Sequence, residues 1–283
     1  MKRLLSIEFQ KIWKNRASKF LLLAYFILLS FIALIASIKF NIGTFEINIA
    51  EQGIFNFPYI WHFNTYIAAW FKFFLAIIIV SMMANEYSYG TLKQNLIDGL
   101  SKKEFIISKV LVVASFALAS TLFVFIMSLL LGYSFSSYNE LSIVFSDLNY
   151  LLALFIKLLG FFSMCLFIGI LVKRSAFALG FLFIWFVFEK ITYGILKFKI
   201  INGTTNTDDL ADKIYSYFPL EALGNLIKEP FTRLSFAKTI EKTIGGKQVL
   251  RDYSIHISEI SIVLAWTLIF IFASYYILKK RDL

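Results

Sequence analysis

Long apolar stretches, separated by shorter polar segments, dominate the sequence. An α-helix needs about 20 apolar residues to cross a bilayer core about 30 Å thick, because each residue adds about 1.5 Å. Six stretches reach that length, at residues 20–38, 61–84, 110–132, 148–172, 175–196 and 257–278. A backbone in lipid must satisfy its own hydrogen bonds, which favours helices. The pattern therefore predicts an all-α integral membrane protein with six transmembrane helices in a single domain over residues 1–283.

Composition agrees with this class of protein. Hydrophobic residues make up 59% of the chain and charged residues 16%, compared with about 45–50% and about 25% in soluble domains. The net charge of +10 would suggest a nucleic-acid partner in a soluble chain. In a membrane protein, cationic residues are first explained by topology, so no nucleic-acid partner is expected.

Lys and Arg residues are concentrated beside alternate ends of the apolar stretches. The cationic segments are 1–19, 85–109, 173–174 and 279–283. The loops on the opposite side, 39–60 and 133–147, contain a single cationic residue, Lys39. Because cationic flanks stay in the cytoplasm, both termini are predicted to be cytoplasmic. The long segment 197–256 between spans five and six is then external.

The N-terminal segment has the pattern of an amphipathic helix. Its apolar face consists of Leu5, Phe9, Ile12 and Trp13, and its polar face of Arg3, Ser6, Gln10, Lys11 and Lys14. Such a helix lies in the membrane interface, with its cations near anionic headgroups. We therefore predict an interfacial helix over residues 1–19. It acts either as a charged anchor that sets the orientation or as a connecting helix that also touches a cytoplasmic partner, and the two roles are compatible.

The cytoplasmic segment 85–109 is more structured than a simple turn. Apolar residues at helical spacing, namely Tyr89, Leu92, Leu96 and Ile97, predict a short helix on the membrane surface. Asp98-Gly99 is a stop signal, because Gly adopts the left-handed conformation that ends helices. Ser101 and Glu104 form a capping box that starts the next helix. A plain connection between helices needs only about two to eight residues and would contain neither signal.

Residues 85–92 read Asn-Glu-Tyr-Ser-Tyr-Gly-Thr-Leu. With the six spans, the basic N-terminal helix and the tail 275–283, this run resembles the permease subunit of type-2 ABC transporters. That exporter family includes bacitracin- and lantibiotic-resistance permeases and the permease of nitrous-oxide-reductase maturation. Its members use the corresponding segment as a coupling helix, which docks into a groove on the nucleotide-binding subunit.

The resemblance implies a function, a location and partners for this chain. It implies export across the cytoplasmic (inner) membrane, an ABC ATPase subunit dimer as partner, and a second permease copy, identical or paralogous. By the same resemblance spans two and five line the dimer interface and the path. The implied ATPase-coupling residues are Glu86, Tyr89, Gly90, Thr91, Leu92, Asn95 and Leu96.

The chain is not expected to be an enzyme or to hold a cofactor of its own. The phosphate-binding pattern G-x-x-x-x-G-K-[ST] is missing, because Gly246-Lys247 is followed by Gln248 and Glu241 stands at the first Gly. ATP and Mg²⁺ are therefore expected on the partner ATPase. No catalytic set or metal-binding spacing is found, and His62 and His256 are expected to be structural. The competing hypotheses are a non-ATP channel or secretion-machine scaffold that works through segment 197–256, and an intramembrane enzyme.

Four charged residues fall well inside the predicted spans, namely Lys72, Lys157, Glu189 and Lys190, while Glu259 lies near the start of the sixth. An ionisable group in hydrocarbon costs about 3 kcal/mol or more and usually faces a partner or water. In the structural hypothesis Glu189 pairs with Lys72 or Lys157 and locks the helices together. In the functional hypothesis the lysines line a cationic cavity for an anionic or amphipathic substrate.

Overall fold

A computed structural model describes residues 2–37, 39–42, 45–48, 53–201, 208–233 and 252–281. Helices form most of this part of the chain. They are α1 (Lys2–Lys14), α2 (Arg16–Ser37), α3 (Tyr59–Trp70), α4 (Lys72–Ser88), α5 (Thr91–Ile97), α6 (Lys102–Phe135), α7 (Leu141–Val144), α8 (Asn149–Val172), α9 (Ser175–Ile201), α10 (Asp208–Tyr215), α11 (Pro219–Asn225) and α12 (Ile257–Lys280). Two strands, β1 (Lys39–Ile42) and β2 (Phe45–Asn48), pair antiparallel between α2 and α3.

The helices support a membrane protein with several spans. Four described segments are each long and apolar enough to cross a bilayer: α6, α7 with α8, α9, and α12. The number rises to six if the bent pairs α1–α2 and α3–α4 each count as one span. The predicted helical membrane class is therefore confirmed. The β1–β2 hairpin is an addition that the sequence pattern did not indicate, since it lies in a segment expected to be a loop.

The N-terminal helix and the first span are separate elements, as predicted. The axes of α1 and α2 differ by 91°. The corner is at Asn15, whose side-chain oxygen accepts a hydrogen bond from the Ser18 backbone N–H at 3.1 Å. This cap satisfies one of the otherwise unpaired N–H groups in the first turn of α2. The boundary lies four to five residues before the predicted one, because the cap and not the last lysine decides where α2 begins.

The second span is not the continuous helix that the apolar run 61–84 predicts. It consists of α3 and α4, bent by 41° at Phe71. The Phe71 N–H donates to the Ala68 carbonyl at 3.2 Å, and the Phe74 N–H donates to the Phe71 carbonyl at 3.1 Å. Bonds between residues three apart tighten the turn locally. The chain therefore changes direction at Phe71 and begins α4 at Lys72.

Helix α8 lies at the centre of the bundle and α9 at its edge. Helices α4, α6 and α12 all pack on α8. Of the most apolar window in Leu141–Val172, 72% is buried, compared with 6% for Ser175–Phe198. Large apolar side chains on α9, including Phe183 and Ile184, are exposed as a result. The periphery of the described bundle therefore presents hydrocarbon where a soluble protein would present polar groups.

The two chain ends lie at the same end of the bundle. The Lys102 ammonium at the start of α6 donates to the Arg281 carbonyl at 2.8 Å. The Arg281 guanidinium in turn donates to the Tyr87 hydroxyl at 2.9 Å. Helix α1 joins the same region through ion pairs with α4 and α6. We call this end, with α1, α5 and Arg281, the α5 end, and the end with α7 and α11 the α11 end.

Candidate functional site

The connection between α4 and α6 forms a short surface helix, as predicted. Gly90 has φ +66° and reverses the chain after α4, a conformation that glycine adopts without a steric penalty. Helix α5 ends at Asp98, and Gly99 follows with φ +96°. The Ser101 hydroxyl accepts from the Glu104 N–H at 3.1 Å, and the Glu104 carboxylate accepts from the Ser101 N–H at 3.0 Å. The predicted stop and the predicted capping box are both confirmed.

The four apolar residues of this segment do not share one face. Leu92 is only 2% exposed and Leu96 is half-buried, and both pack toward the core of the bundle. Tyr89 and Ile97 are each 75% exposed. Tyr89 precedes the Gly90 reversal and so is not part of α5, while Ile97 lies about 100° around the helix from Leu96. The exposed apolar surface of this segment is therefore formed by Tyr89 and Ile97.

A cluster of four charged residues, three of them buried, lies directly behind α5. Glu86 of α4 accepts from Lys109 of α6 at 2.6 Å and from Lys11 of α1 at 2.8 Å. Glu8 of α1 accepts from Lys109 at 2.6 Å and lies 3.5 Å from Lys11. We call Glu8, Lys11, Glu86 and Lys109 the ion cluster. It joins α1, α4 and α6, and its two carboxylates balance its two ammonium groups.

Helix α5 is tied to the ion cluster through its first residue. The Thr91 hydroxyl donates to Glu86 at 2.5 Å. Hydrogen bonds to a charged acceptor are about twice as strong as neutral ones. Lys11 lies at the rim of the cluster, on the interfacial helix. Burial lowers the pKa of Lys11, but the Glu86 and Glu8 carboxylates outweigh burial and raise that pKa above its ordinary value.

Sequence reasoning did not find Glu8 or Lys109. Lys109 was interpreted as one more cytoplasmic cation, yet its side chain is completely buried. A signal was present, since Glu8 is the only acidic residue in the cationic segment 1–19. An isolated acid among six cations, on the same helical face as Leu5 and Ile12, indicates a buried ion pair with another element.

A groove of about 350 Å³ lies beside the ion cluster, between the α1–α2 corner and the α4–α5 connection. Lys11 and Lys14 contribute cationic groups to it, and Asn85 and Tyr89 form part of the opposite wall. The α5 end therefore combines an exposed aromatic residue, a groove lined by Lys11, Lys14 and Glu86, and a helix that is held by the ion cluster.

The structure divides the predicted coupling residues into two groups. Glu86 and Leu92 are buried within the chain, and Thr91, Asn95 and Leu96 are partly buried. Tyr89 and Gly90 are exposed. Ile97, which was not among the predicted contact residues, is equally accessible.

Glu189 has partners other than the predicted ones, and Lys190 pairs with a different carboxylate. The buried Glu189 carboxylate accepts from the Trp185 indole N–H at 2.7 Å and from the Leu220 backbone N–H at 3.2 Å. It thus caps the first turn of α11, where a negative charge is favourable. Lys190 is half-exposed and lies 3.4 Å from Glu221. The hypothesis that Glu189 pairs with Lys72 or Lys157 is therefore wrong, because free N–H groups of α11 engage the carboxylate.

Lys72 and Lys157 meet at a cavity of about 520 Å³. The bend between α3 and α4, the first half of α8 and the residues that follow α11 enclose it. Aromatic side chains, including Trp70 and Phe73, form the rest of the wall together with Asn225. Lys190 lies outside this cavity. Of the four charged residues found in the spans, the structure therefore brings together Lys72 and Lys157.

Both histidines make structural contacts in the described chain. His62 is buried, stacks on Tyr150 with ring centres 4.4 Å apart, and lies 2.8 Å from the Lys228 carbonyl through Nε2. His256 pairs with Asp252 at 2.9 Å in an exposed loop. Neither histidine lines the cavity that contains Lys72.

Comparison with known proteins gives one family. The sequence model described as ABC-2 family transporter protein matches residues 4–283, nearly all of the 283-residue chain. No curated protein matches the chain significantly. The family match covers every described helix except the first two residues of α1, and the resemblance seen at residues 85–92 falls within it. The chain therefore belongs to the ABC-2 family of transporter proteins.

Proposed function

We propose that this chain is the permease of an ABC exporter, coupling ATP hydrolysis by a separate ATPase subunit to substrate export across the cytoplasmic membrane. Family membership supports a transmembrane transporter subunit with an ABC ATPase partner. The observation that carries the coupling role is the position of α5. It is exposed at one end of the bundle, yet its first residue is bonded to a buried carboxylate that joins three other helices.

In this proposal α5 is the coupling helix and the ion cluster transmits its movement. A displacement of α5 would move Glu86 through its hydrogen bond with Thr91. Glu86 belongs to α4, and it is bonded to α6 through Lys109, so both helices would follow. Helix α4 leads to the bend at Phe71 and hence to the cavity that contains Lys72. Packed cores transmit small displacements because they have little free volume. ATPase movement at one end would thus change the bend and the cavity.

The ATPase-facing surface would be centred on Tyr89 and Ile97. Exposed aromatic and large aliphatic residues are typical anchors of protein interfaces. Gly90, Asn95 and Leu96 would lie at the edge of the contact, whereas Glu86, Thr91 and Leu92 would act by holding α5 in place. The groove beside Tyr89, which Lys11 and Lys14 of α1 line, gives α1 a place in the same contact, in addition to its anchoring role.

The remaining parts of the proposal follow from the same arrangement. ATP and Mg²⁺ would bind to the ATPase dimer, and this chain would carry no catalytic residue. A second permease copy would pack against the exposed apolar surface of α9 and complete the path. Both termini and α5 would face the cytoplasm, in agreement with the distribution of Lys and Arg.

Copurification with variants of the outer surface tests this proposal. The chain is purified in mild detergent from its native membranes, and mass spectrometry identifies any ABC ATPase that accompanies it. We predict that Tyr89→Ala combined with Ile97→Asp reduces the recovered ATPase at least about tenfold, since interface anchors contribute about 2 kcal/mol or more. Substitution of Leu92 is unsuitable, because Leu92 is part of the core of this chain.

Tyr138→Ala combined with Leu141→Asp is the matched control. Both residues are exposed, and they lie near α7, at the α11 end. Full ATPase recovery with this control, together with loss for the Tyr89 and Ile97 pair, supports the coupling role. Recovery of no ATPase with the unmodified chain would instead favour the channel or scaffold hypothesis.

A further inference from the structure

We propose that the Lys72–Lys157 cavity is a binding site for the head of an anionic amphiphile, a phosphate or carboxylate carried on an apolar chain. The inference rests on the proposed transport function and gives it a substrate class. The cavity contains two ammonium groups, an aromatic wall and an opening at the apolar periphery of the bundle.

Neither lysine has an ion-pair partner within the described chain. Lys157 is 5% exposed, and its ammonium has one polar contact, the Gly224 carbonyl at 3.5 Å. The Lys72 ammonium lies over the rings of Phe161 at 4.4 Å and Phe73 at 5.7 Å. No described carboxylate forms an ion pair with either residue. A buried cation without a carboxylate partner, such as Lys157, weakens the fold. Its position at the same cavity as Lys72 therefore indicates that the two lysines bind a ligand.

The other charged groups of the cavity are engaged elsewhere. The Lys228 ammonium donates to the Asp252 carbonyl at 3.0 Å and lies 3.6 Å from Glu259. The Glu229 carboxylate accepts from the Phe231 N–H at 3.0 Å and from the Thr232 hydroxyl at 2.8 Å. Lys228 is thus paired with Glu259, whereas the hydrogen-bonded Glu229 carboxylate keeps its negative charge. Lys72 and Lys157 together outnumber this one carboxylate in the cavity lining, so an anion is the complementary ligand.

The walls fit an apolar chain next to the anion. Trp70 and Phe73 line the cavity and are also exposed on the outside of the bundle. A hydrocarbon tail can therefore run from the lysines along these two rings into the surrounding lipid. The volume of about 520 Å³ is in the range of about 300–1,000 Å³ that small-molecule sites occupy. It accommodates a head group and the first part of a tail.

The cavity is also placed where a conformational change would alter it. Lys72 is the first residue of α4, directly after the Phe71 bend, while Lys157 belongs to the central helix α8. A change of the bend angle moves Lys72 relative to Lys157. The bound anion would then gain or lose one of its two cations, as a transport cycle requires.

Calorimetric titration of the purified permease, without ATPase, in dodecyl maltoside micelles tests the inference. We expect saturable binding of dodecyl phosphate and at least about tenfold weaker binding of inorganic phosphate. Lys72→Met and Lys157→Met should each weaken dodecyl phosphate binding about tenfold or more, the loss of one charge-assisted contact. Lys190→Met, on α9 outside the cavity, is the matched control and should bind as the unmodified chain does.

Three outcomes would overturn the inference: wild-type affinity when Lys72→Met and Lys157→Met are combined, equal binding of inorganic phosphate, or binding lost equally with Lys190→Met. Lys72→Arg keeps the charge and should retain binding, which separates loss of charge from a folding defect. Titration in nanodiscs tests whether a membrane lipid supplies the anionic head group. Phosphatidylglycerol, which is anionic, should compete with dodecyl phosphate for the cavity, whereas phosphatidylcholine should not. Normal ATPase copurification without dodecyl phosphate binding would reject the cavity alone, and the converse would reject the proposed coupling.

Discussion

Lys109 is a completely buried cation that joins two carboxylates from different helices. Its ammonium donates to Glu8 and to Glu86, both at 2.6 Å, and no part of its side chain is exposed. Taking a charge out of water has a penalty of several kcal/mol, which such short bonds offset. Lys109 is therefore a joint between α1 and α4, and removal of its charge would leave Lys11 alone to compensate two carboxylates.

We predict that Lys109→Met lowers the free energy of unfolding by about 3–5 kcal/mol, the usual effect of breaking a buried ion pair. Lys103→Met, at an exposed position on the same helix, should change it by no more than about 0.5 kcal/mol. Denaturant titration of the purified protein in detergent measures both. Adding Glu8→Gln to Lys109→Met should restore part of the loss, because it removes one uncompensated charge. Equal stability of the Lys103 and Lys109 variants would contradict the assigned role.

The sequence indicates these residues poorly because their role depends on distant partners. Lys109 and Glu8 are 101 residues apart, and helical periodicity describes only neighbours on one element. Lys72 and Lys157 were recognised, because a charge within an apolar run is conspicuous at any distance. The contacts of these two lysines were not predicted. Glu189, their expected partner, instead accepts hydrogen bonds from N–H groups of α11, and no sequence pattern revealed where α11 packs.

Helix α5 is flanked by two glycines with positive φ, Gly90 and Gly99. Gly90 has φ +66°, and a side-chain carbon built there would meet no atom within 4 Å. The only penalty of a larger residue is therefore backbone strain. Gly194, on α9, likewise has open space around it but helical dihedral angles. The two positions separate strain from packing.

We predict opposite effects for alanine at these two glycines. Gly90→Ala should lower the free energy of unfolding by about 1–2 kcal/mol, the strain of a left-handed residue with a side chain. Gly194→Ala should raise it by about 0.5–1 kcal/mol, because alanine loses less backbone entropy in a helix. Thermal unfolding in detergent gives the order of stability of the unmodified chain and the two variants. A stabilising effect at Gly90 would show that α5 does not require the left-handed turn.

Elements were predictable where their signals are local. The capping box of Ser101 and Glu104 and the stop at Gly99 each depend on residues within one turn of the boundary. The bend at Phe71 was not predictable, since neither proline nor glycine occurs in residues 61–84. It arises from tertiary packing of α3 and α4 around α8.

At the scale of the whole molecule, the central position of α8 and the peripheral position of α9 have different consequences. Helix α8 contributes Lys157 to the cavity and supports most other spans, so it is the fixed part of the bundle. Helix α9 has almost no buried surface in its apolar window. Its residues Phe177, Ile184 and Ile191 repeat every seven positions on one face, and each is more than half exposed. A repeat of this kind suits packing against an identical helix.

We therefore predict that single cysteines on this α9 face cross-link two copies of the permease. The native Cys165 is buried, so it should not contribute to cross-linking in oxidised membranes. Ile184→Cys should give a covalent dimer on mild oxidation, because residues near a two-fold axis meet their own counterparts. Leu122→Cys, at an exposed position on α6, should remain monomeric, since one chain cannot use both surfaces for the same two-fold contact. A covalent dimer of the Leu122→Cys variant, without one of the Ile184→Cys variant, would show that the interface lies on α6 and that α9 faces lipid. Non-reducing gel electrophoresis of the two variants decides between these arrangements.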